Sequence, residues 1–115
     1  MPPADLPRLC RRHSDTSKRD YGRVLVIGGA AGMAGAPALA ALAALRSGAG
    51  RVEAVVPETV AAITAGFDPC VMTRGLPIRA DGTFAAGAGE TLAATAARAD
   101  AVAIGPGMGR SDAVV

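Results

Sequence analysis

The stretch that decides the fold is Arg23-Val-Leu-Val-Ile-Gly-Gly29, an apolar run that ends in two glycines. A continuous apolar run bounded by glycine is typical of a strand covered on both faces, as in a parallel sheet. The glycine-rich segment continues to Gly35, and Ala36-Pro37 then opens an Ala/Leu-rich helix that ends at Gly48 or Gly50. Pro37 suits a first helical turn, where its missing N–H costs nothing. Strand, glycine loop and helix in this order predict the first unit of an α/β fold.

Strand and helix continue to alternate downstream of this unit. The sequence predicts further strands over 51–56, 70–73 (the weakest) and 100–104, the last of them buried. It predicts helices over 58–65 and 90–98, and a further helix should begin at Ser111 after the second glycine loop. Residues 76–87 contain Pro77 and Asp81-Gly82 and predict a loop or a hairpin. Such alternation indicates a predominantly parallel sheet with helices on both faces. Residues 1–22 are polar and predict an irregular arm, so we assign 1–22 as an N-terminal arm and 23–115 as part of a single domain.

Composition excludes several classes of protein. Half of the 115 residues are hydrophobic and 19% are charged, which excludes a disordered chain. A net charge of +2 is too small to indicate nucleic-acid binding. The most apolar stretch, residues 34–45, is shorter than the roughly 20 residues that cross a bilayer, and the first residues contain no signal-peptide core. Cys10 and Cys70 show no metal-ligand spacing and predict two separate thiols. We therefore expect a cytoplasmic protein with no membrane and no nucleic-acid partner.

The helix after the first glycine loop is apolar nearly all round, so we expect it to be buried on several faces. Its leucines, Leu39, Leu42 and Leu45, lie on one side and alanines fill the others. Basic residues are concentrated near the start of the chain, and we interpret them as a solvated leader. These basic residues are Arg8, Arg11, Arg12, Lys18, Arg19 and Arg23.

Two glycine loops, residues 28–35 and 105–109, each follow a predicted strand directly. Ligands of open α/β sheets bind outside the carboxyl ends of the strands, where backbone N–H groups and helix N-termini are exposed. The first loop is not a P-loop, because no Lys-Ser or Lys-Thr follows it. Gly29, Gly32 and Gly35 are spaced by three and do not match a dinucleotide fingerprint. The loops therefore indicate either a ligand site or tight turns only.

No catalytic or metal-binding constellation is visible in the sequence. His13 is the only histidine, lies in the polar arm and should be exposed to solvent. Ser14 and Asp15 follow it directly, and adjacent residues do not form a catalytic triad. The carboxylates are scattered. We therefore assign no catalytic residue and no metal ligand to this chain.

Four segments taken together resemble the ADP-dependent NAD(P)H-hydrate dehydratase family, whose fold is ribokinase-like. In order along the chain they are Ser17-Lys-Arg-Asp-Tyr-Gly-Arg-Val-Leu-Val-Ile-Gly-Gly29, Gly32-Met-Ala-Gly-Ala-Pro37, Ala43-Ala-Leu-Arg-Ser-Gly-Ala-Gly50 and Ala103-Ile-Gly-Pro-Gly-Met-Gly109. The resemblance covers residues 7–112. It departs from the family pattern at Arg19, where glycine is common, and at Arg51, where an apolar residue is usual.

The resemblance implies a carbon–oxygen lyase of nicotinamide nucleotide repair. Such an enzyme returns the S-form of hydrated NADH or NADPH (NADHX, NADPHX) to NADH or NADPH with ADP as co-substrate and Mg²⁺, giving AMP and phosphate. It also implies that Ala36 and Gly107 contact the hydrate and that the protein can form a homotetramer. The family's Thr-Pro-His segment and its Gly-x-Gly-Asp motif, whose Asp is the expected catalytic base, do not occur here.

We therefore expect an apparently truncated α/β fold that is inactive alone. Two alternatives remain open from the sequence. One is a ribokinase-like small-molecule kinase, which shares the glycine-rich strand ends, although Gly32-Met-Ala-Gly-Ala-Pro37 favours the dehydratase. The other is a non-catalytic nucleotide-binding fragment.

Overall fold

The architecture is a four-stranded parallel sheet with helices on both faces, as the alternation predicts. The structure, a computed structural model, describes residues 8–110. The strands are β1 (Arg23–Ile27), β2 (Arg51–Pro57), β3 (Met72–Leu76) and β4 (Ala101–Ile104). The helices are α1 (Gly35–Arg46), α2 (Glu58–Ala65) and α3 (Ala88–Ala96). The helix expected after residue 110 lies outside the described residues.

The strands are ordered β3-β2-β1-β4, so β1 lies inside the sheet between β2 and β4. Val24 is paired with Val52 of β2 on one side and with Ala101 of β4 on the other. The chain therefore builds outward from β1 through β2 to β3 and then crosses back to place β4 on the opposite side of β1. The neighbours of β1 come from distant parts of the chain, which is what brings the two glycine loops to one place.

Each face of the sheet has its own apolar cluster, because successive side chains of a strand point to opposite faces. Val26, Val52 and Val56 pack on the side of α1 and α2. Leu25 and Ile27 pack on the side of α3 and of the segment that follows β3. Leu25, Val26 and Ile27 are at most 2% exposed, which confirms a central strand covered on both faces.

Helix α1 packs on the sheet mainly through its small residues, and Leu45 is the leucine of this helix that also packs against the core within residues 8–110. Ala38 and Ala41 are buried, whereas Leu39 is 67% exposed. The expectation that this helix is buried on several faces is therefore wrong within residues 8–110. Gly48 ends it in a left-handed conformation, and the N–H of Ala49 returns to the carbonyl of Ala44 at 3.1 Å. This is the Schellman arrangement that glycine favours at a helix end.

The other elements differ from the sequence predictions in small ways. β3 begins two residues later than predicted, because Asp68 accepts from the N–H groups of Cys70 and Val71 and holds them in a turn. Helix α3 is shifted by two residues towards the N-terminus, which is within ordinary uncertainty for a helix end. Residues 76–87 do contain a hairpin, in which Ile78 and Phe84 form an antiparallel bridge. β4 was expected to be buried, and this is wrong: all four of its residues are exposed at the edge of the sheet.

The segment before β1 is more ordered than an irregular arm. Lys18–Tyr21 form one 3₁₀ turn, which Ser17 and Asp20 cap reciprocally. Gly50 fits closely beneath this turn, since a Cβ at that position would lie 1.7 Å from the carbonyl oxygen of Lys18. The prediction of an irregular arm is therefore wrong for these four residues, and it lies outside the described residues for 1–7. The domain boundary placed at residue 22 stays a prediction.

Both cysteines are free, as predicted, and both are exposed. None of the helices within residues 8–110 has the length and apolar character required to span a bilayer.

Candidate ligand site at the glycine loops

The order of the strands places the two glycine loops side by side. Residues 28–35 follow β1 and residues 105–109 follow β4, and β1 and β4 are parallel neighbours. The chain adds β2 and β3 on one side of β1 and then places β4 on the other side, so the strand order reverses between β1 and β4. The carboxyl ends of strands at such a reversal are where open α/β sheets bind ligands.

The two loops are joined through their backbones. The N–H of Gly29 donates to the carbonyl of Pro106 at 2.9 Å, and the N–H of Gly105 donates to the carbonyl of Ile27 at 3.0 Å. A Cβ on Gly28 would lie 2.2 Å from the carbonyl oxygen of Pro106, a distance that no side chain can occupy. Glycine is therefore required at position 28 by the contact between the loops.

Ala36 and Gly107, the two residues that the family resemblance implies for substrate contact, come together at this junction. Ala36 is in the first turn of α1, and a Cβ on Gly107 would lie 3.0 Å from the Cβ of Ala36 and 3.0 Å from the carbonyl oxygen of Met33. Gly107 also has a φ of +69°, which favours glycine. Small residues at both positions therefore allow the two loops to meet closely.

A third segment, the hairpin after β3, also reaches the glycine loops. A Cβ on Gly82 at the tip of the hairpin would lie 3.1 Å from the Cβ of Ala31 in the first loop. Gly109 of the second loop would place a Cβ 4.0 Å from the Cγ2 of Thr83. Sequence reasoning did not place this hairpin at the site. The Asp81-Gly82 turn signal indicated its existence, but only the fold shows where it lies.

Asp81 directly precedes Gly82 and is the acidic residue nearest in sequence to the contact between the hairpin and the first loop. Its Oδ1 accepts from the hydroxyl of Thr83 at 2.6 Å and from the main-chain N–H of Thr83 at 3.0 Å. These hydrogen bonds favour the ionised form and lower the pKa of Asp81 from its ordinary value of 3.8. The carboxylate therefore acts within the hairpin to hold the turn.

The described residues bring no catalytic group to the loops. His13 is exposed in the segment before β1, as predicted, where its carbonyl accepts from Thr16. Within residues 8–110, no three His, Cys, Asp or Glu side chains are grouped closely enough to hold a metal ion. Cavities of about 290–430 Å³ lie elsewhere, and no residue of either loop lines them. The loops therefore form an open wall of backbone and small side chains.

Comparison with protein families and curated relatives gives one consistent match. Residues 24–115 match the Carb_kinase family, described as NAD(P)H-hydrate dehydratase. A bifunctional NAD(P)H-hydrate repair enzyme of Moorella thermoacetica is 44% identical over 108 residues, which is 94% of this chain and 20% of that protein. An ADP-dependent (S)-NAD(P)H-hydrate dehydratase of Xanthomonas campestris is 40% identical over 91 residues, which is 79% of this chain and 31% of that protein. The chain spans about a fifth to a third of the length of these relatives.

Solved structures show the same fold. A ribokinase-like superfamily protein of Enterococcus faecalis superposes with a TM-score of 0.72 at 27% identity, over 90% of this chain and 33% of that one. An ADP/ATP-dependent NAD(P)H-hydrate dehydratase of Bacillus subtilis, co-crystallised with ATP/Mg²⁺, superposes with a TM-score of 0.67 at 28% identity, over 92% of this chain and 35% of that one. The fold is therefore ribokinase-like, and the chain belongs to the NAD(P)H-hydrate dehydratase family.

Proposed function

We propose that the two glycine loops of this chain form the hydrate-contacting wall of an ADP-dependent NAD(P)H-hydrate dehydratase. The reaction returns the S-form of hydrated NADH or NADPH to the intact dinucleotide. ADP transfers its terminal phosphoryl group to the ring hydroxyl, leaving AMP. Elimination of phosphate then restores the ring double bond, and the proton lost from the neighbouring carbon goes to a base. The observation that carries the proposal is the meeting of Ala36 and Gly107 at the junction of the loops.

The geometry of the wall suits a large and polar substrate. Because Ala36 and Gly107 are small, neither side chain would hold a nicotinamide ring and its sugar away from the backbone. The first turn of α1 has no side-chain cap, so its leading N–H groups remain available to oxygen atoms of a ligand. The partial positive charge of a helix N-terminus favours such oxygens. The role of this chain is thus to bind and orient the hydrate.

Nucleotide use in the proposal is supported by the relatives. The Xanthomonas campestris protein is named as ADP-dependent, and the Bacillus subtilis protein was crystallised with ATP/Mg²⁺. Mg²⁺ would offset charge on the transferred phosphoryl group. Residues 8–110 do not group three His, Cys, Asp or Glu side chains that fit this ion. No step assigned to this chain therefore depends on Mg²⁺.

Replacing Ala36 with leucine separates substrate contact from packing. The assay uses the whole polypeptide encoded by the gene, with hydrated NADH, ADP and Mg²⁺, and follows recovery of NADH absorbance. If Ala36 contacts the hydrate, Ala36→Leu raises the KM for the hydrate strongly while the melting temperature stays close to that of the parent. Ala43→Leu is the matched control, because Ala43 is exposed on the same helix.

A packing role for Ala36 gives the opposite pattern. Overpacking would cost about 1–3 kcal/mol of stability, which lowers the melting temperature, and the KM of the remaining folded enzyme would be unchanged. That result removes Ala36 from the substrate wall. Failure of the parent polypeptide to restore NADH from its hydrate would overturn the proposed activity itself.

A further inference from the structure

A ladder of three charged side chains crosses the sheet on the side of α3, at the end opposite to the glycine loops. Arg23 begins β1, Glu53 lies near the start of β2, and Arg74 lies in β3. The strand register brings them together, since Glu53 is opposite Leu25 on one side and Met72 on the other. The guanidinium of Arg23 is paired with Oε2 of Glu53, and Nη2 of Arg74 is 2.8 Å from Oε1 of Glu53.

The charges of this ladder do not balance. Glu53 is only 5% exposed and lies between two arginines. Arg23 and Arg74 line a cavity of about 290 Å³. A third arginine, Arg98, lines this cavity as well, together with Thr91 and Thr95 of α3. Three arginines therefore line one cavity, and the carboxylate of Glu53 is paired with two of them.

Asp100 also contacts Arg23, but it does so through the main-chain N–H of Arg23 at 2.7 Å and lines a different cavity. Within residues 8–110 it forms no ion pair with Arg23, Arg74 or Arg98, the arginines of the cavity wall.

One donor in the ladder has no acceptor within residues 8–110. The Nε of Arg23 is buried and makes no hydrogen bond there, and the side chain as a whole is 15% exposed. A buried donor without a partner is unfavourable, and this atom is enclosed by the protein around it. Guanidinium groups present their N–H donors in a planar fork that matches the oxygens of phosphate.

From the unbalanced charge and the cavity together, we propose that Arg23, Arg74 and Arg98 bind a phosphate-class oxyanion. The cavity is larger than one phosphoryl group requires, which suits a diphosphate or a small phosphate ester. The site is distinct from the glycine loops, because Arg23 begins β1 whereas the first loop follows its last residue. Glu53 holds Arg23 and Arg74 in place within this site.

Calorimetric titration of the whole encoded polypeptide tests the site. Pyrophosphate, orthophosphate and glycerol 2-phosphate are titrated separately at constant ionic strength, so that the three arms distinguish a diphosphate, a free phosphate and an ester. Arg98 is exposed and can be changed without disturbing the ladder. We expect Arg98→Gln to weaken binding of the tightest of the three by about tenfold. Arg46→Gln is the matched control, because Arg46 is an exposed arginine at the end of α1.

A second measurement does not depend on a variant. In the NMR spectrum of the parent polypeptide, the Nε–H resonance of Arg23 should shift on addition of the tightest-binding anion. Ala36→Leu should leave the affinity for that anion unchanged, since it alters the other end of the sheet. Absence of binding by all three anions, an Arg98→Gln affinity equal to that of the parent, an equal loss in Arg46→Gln, or an unmoved Arg23 resonance would each overturn the proposal.

Discussion

Strands β1 and β4 are neighbours in one sheet, have similar apolar sequences and are each followed by a glycine loop, yet their surroundings differ. Leu25, Val26 and Ile27 of β1 are at most 2% exposed, whereas Val102 and Ile104 of β4 are 44% and 65% exposed. β1 has a strand on each side and packed side chains on both faces. β4 has β1 alone as a neighbour within the described chain. The position of each strand in the sheet therefore determines its burial. The loops that follow the two strands nevertheless meet at the same junction.

Introducing a carboxylate into each strand in turn should show this difference in burial most strongly. Val26→Asp places a carboxylate among the packed side chains of β1 and should cost roughly 4 kcal/mol or more. Val102→Asp places it at an exposed edge and should cost less than about 1 kcal/mol. Urea unfolding of the 115-residue chain measures the loss of unfolding free energy in both variants. Equal losses of stability would mean that β4 is as buried as β1.

The contact between the two loops can be broken separately from the strands. Gly28→Ala forces a Cβ against the carbonyl of Pro106 and should cost about 2–3 kcal/mol. Gly32→Ala meets no atom within 4 Å and should cost about 1 kcal/mol, because its φ is +77°.

Gly89→Ala, in open space on α3, is the control for these two variants and should raise stability by about 0.5–1 kcal/mol. Thermal melts of the three variants test this expected order of stabilities. A Gly28→Ala protein as stable as Gly32→Ala would show that the loops do not touch as described.

The smallest expected effect concerns the hairpin that helps to bury β1. Hydrogen bonds from Thr83 lower the pKa of Asp81 below 3.8, so the ionised carboxylate stabilises the turn. This contribution is fully present above pH 3.8 and is lost as the pH falls through the lower pKa of the folded state.

A carboxyl carbon NMR titration measures the pKa of Asp81 directly. Thr83→Val should move it back towards 3.8, since the hydroxyl donor is removed. A parent pKa at or above 3.8 contradicts the assignment of this hydrogen bond.

Elements with clear breakers at both ends could be predicted from the sequence to the residue. Gly22 and Gly28 flank β1, and Pro57 and Gly66 flank α2, so local chemistry determines where each begins and ends. β3 was misplaced because the turn at Asp68 depends on a side-chain hydrogen bond that apolar patterning does not report. The family resemblance implies substrate contact for Ala36 and Gly107, which stays a prediction, and their proximity follows from the position of β4 beside β1.

Other features depend on strand order and register and could not be predicted. Arg23 was interpreted as part of a solvated leader, which is wrong: it is ion-paired with Glu53 and largely buried. This pairing joins residues thirty positions apart, and it follows from the alignment of β1 with β2. The exposure of β4 likewise depends on which strands surround it. No local pattern in the sequence distinguishes β4 from β1 in this respect.

The most direct test of the central claim is an NMR titration of the isotopically labelled whole polypeptide with hydrated NADH. If the loops after β1 and β4 form one substrate wall, the amide resonances of Gly29, Ala36 and Gly107 should shift together, with one apparent Kd. Shifts confined to one loop, or shifts with two different Kd values, would contradict a single site at this junction.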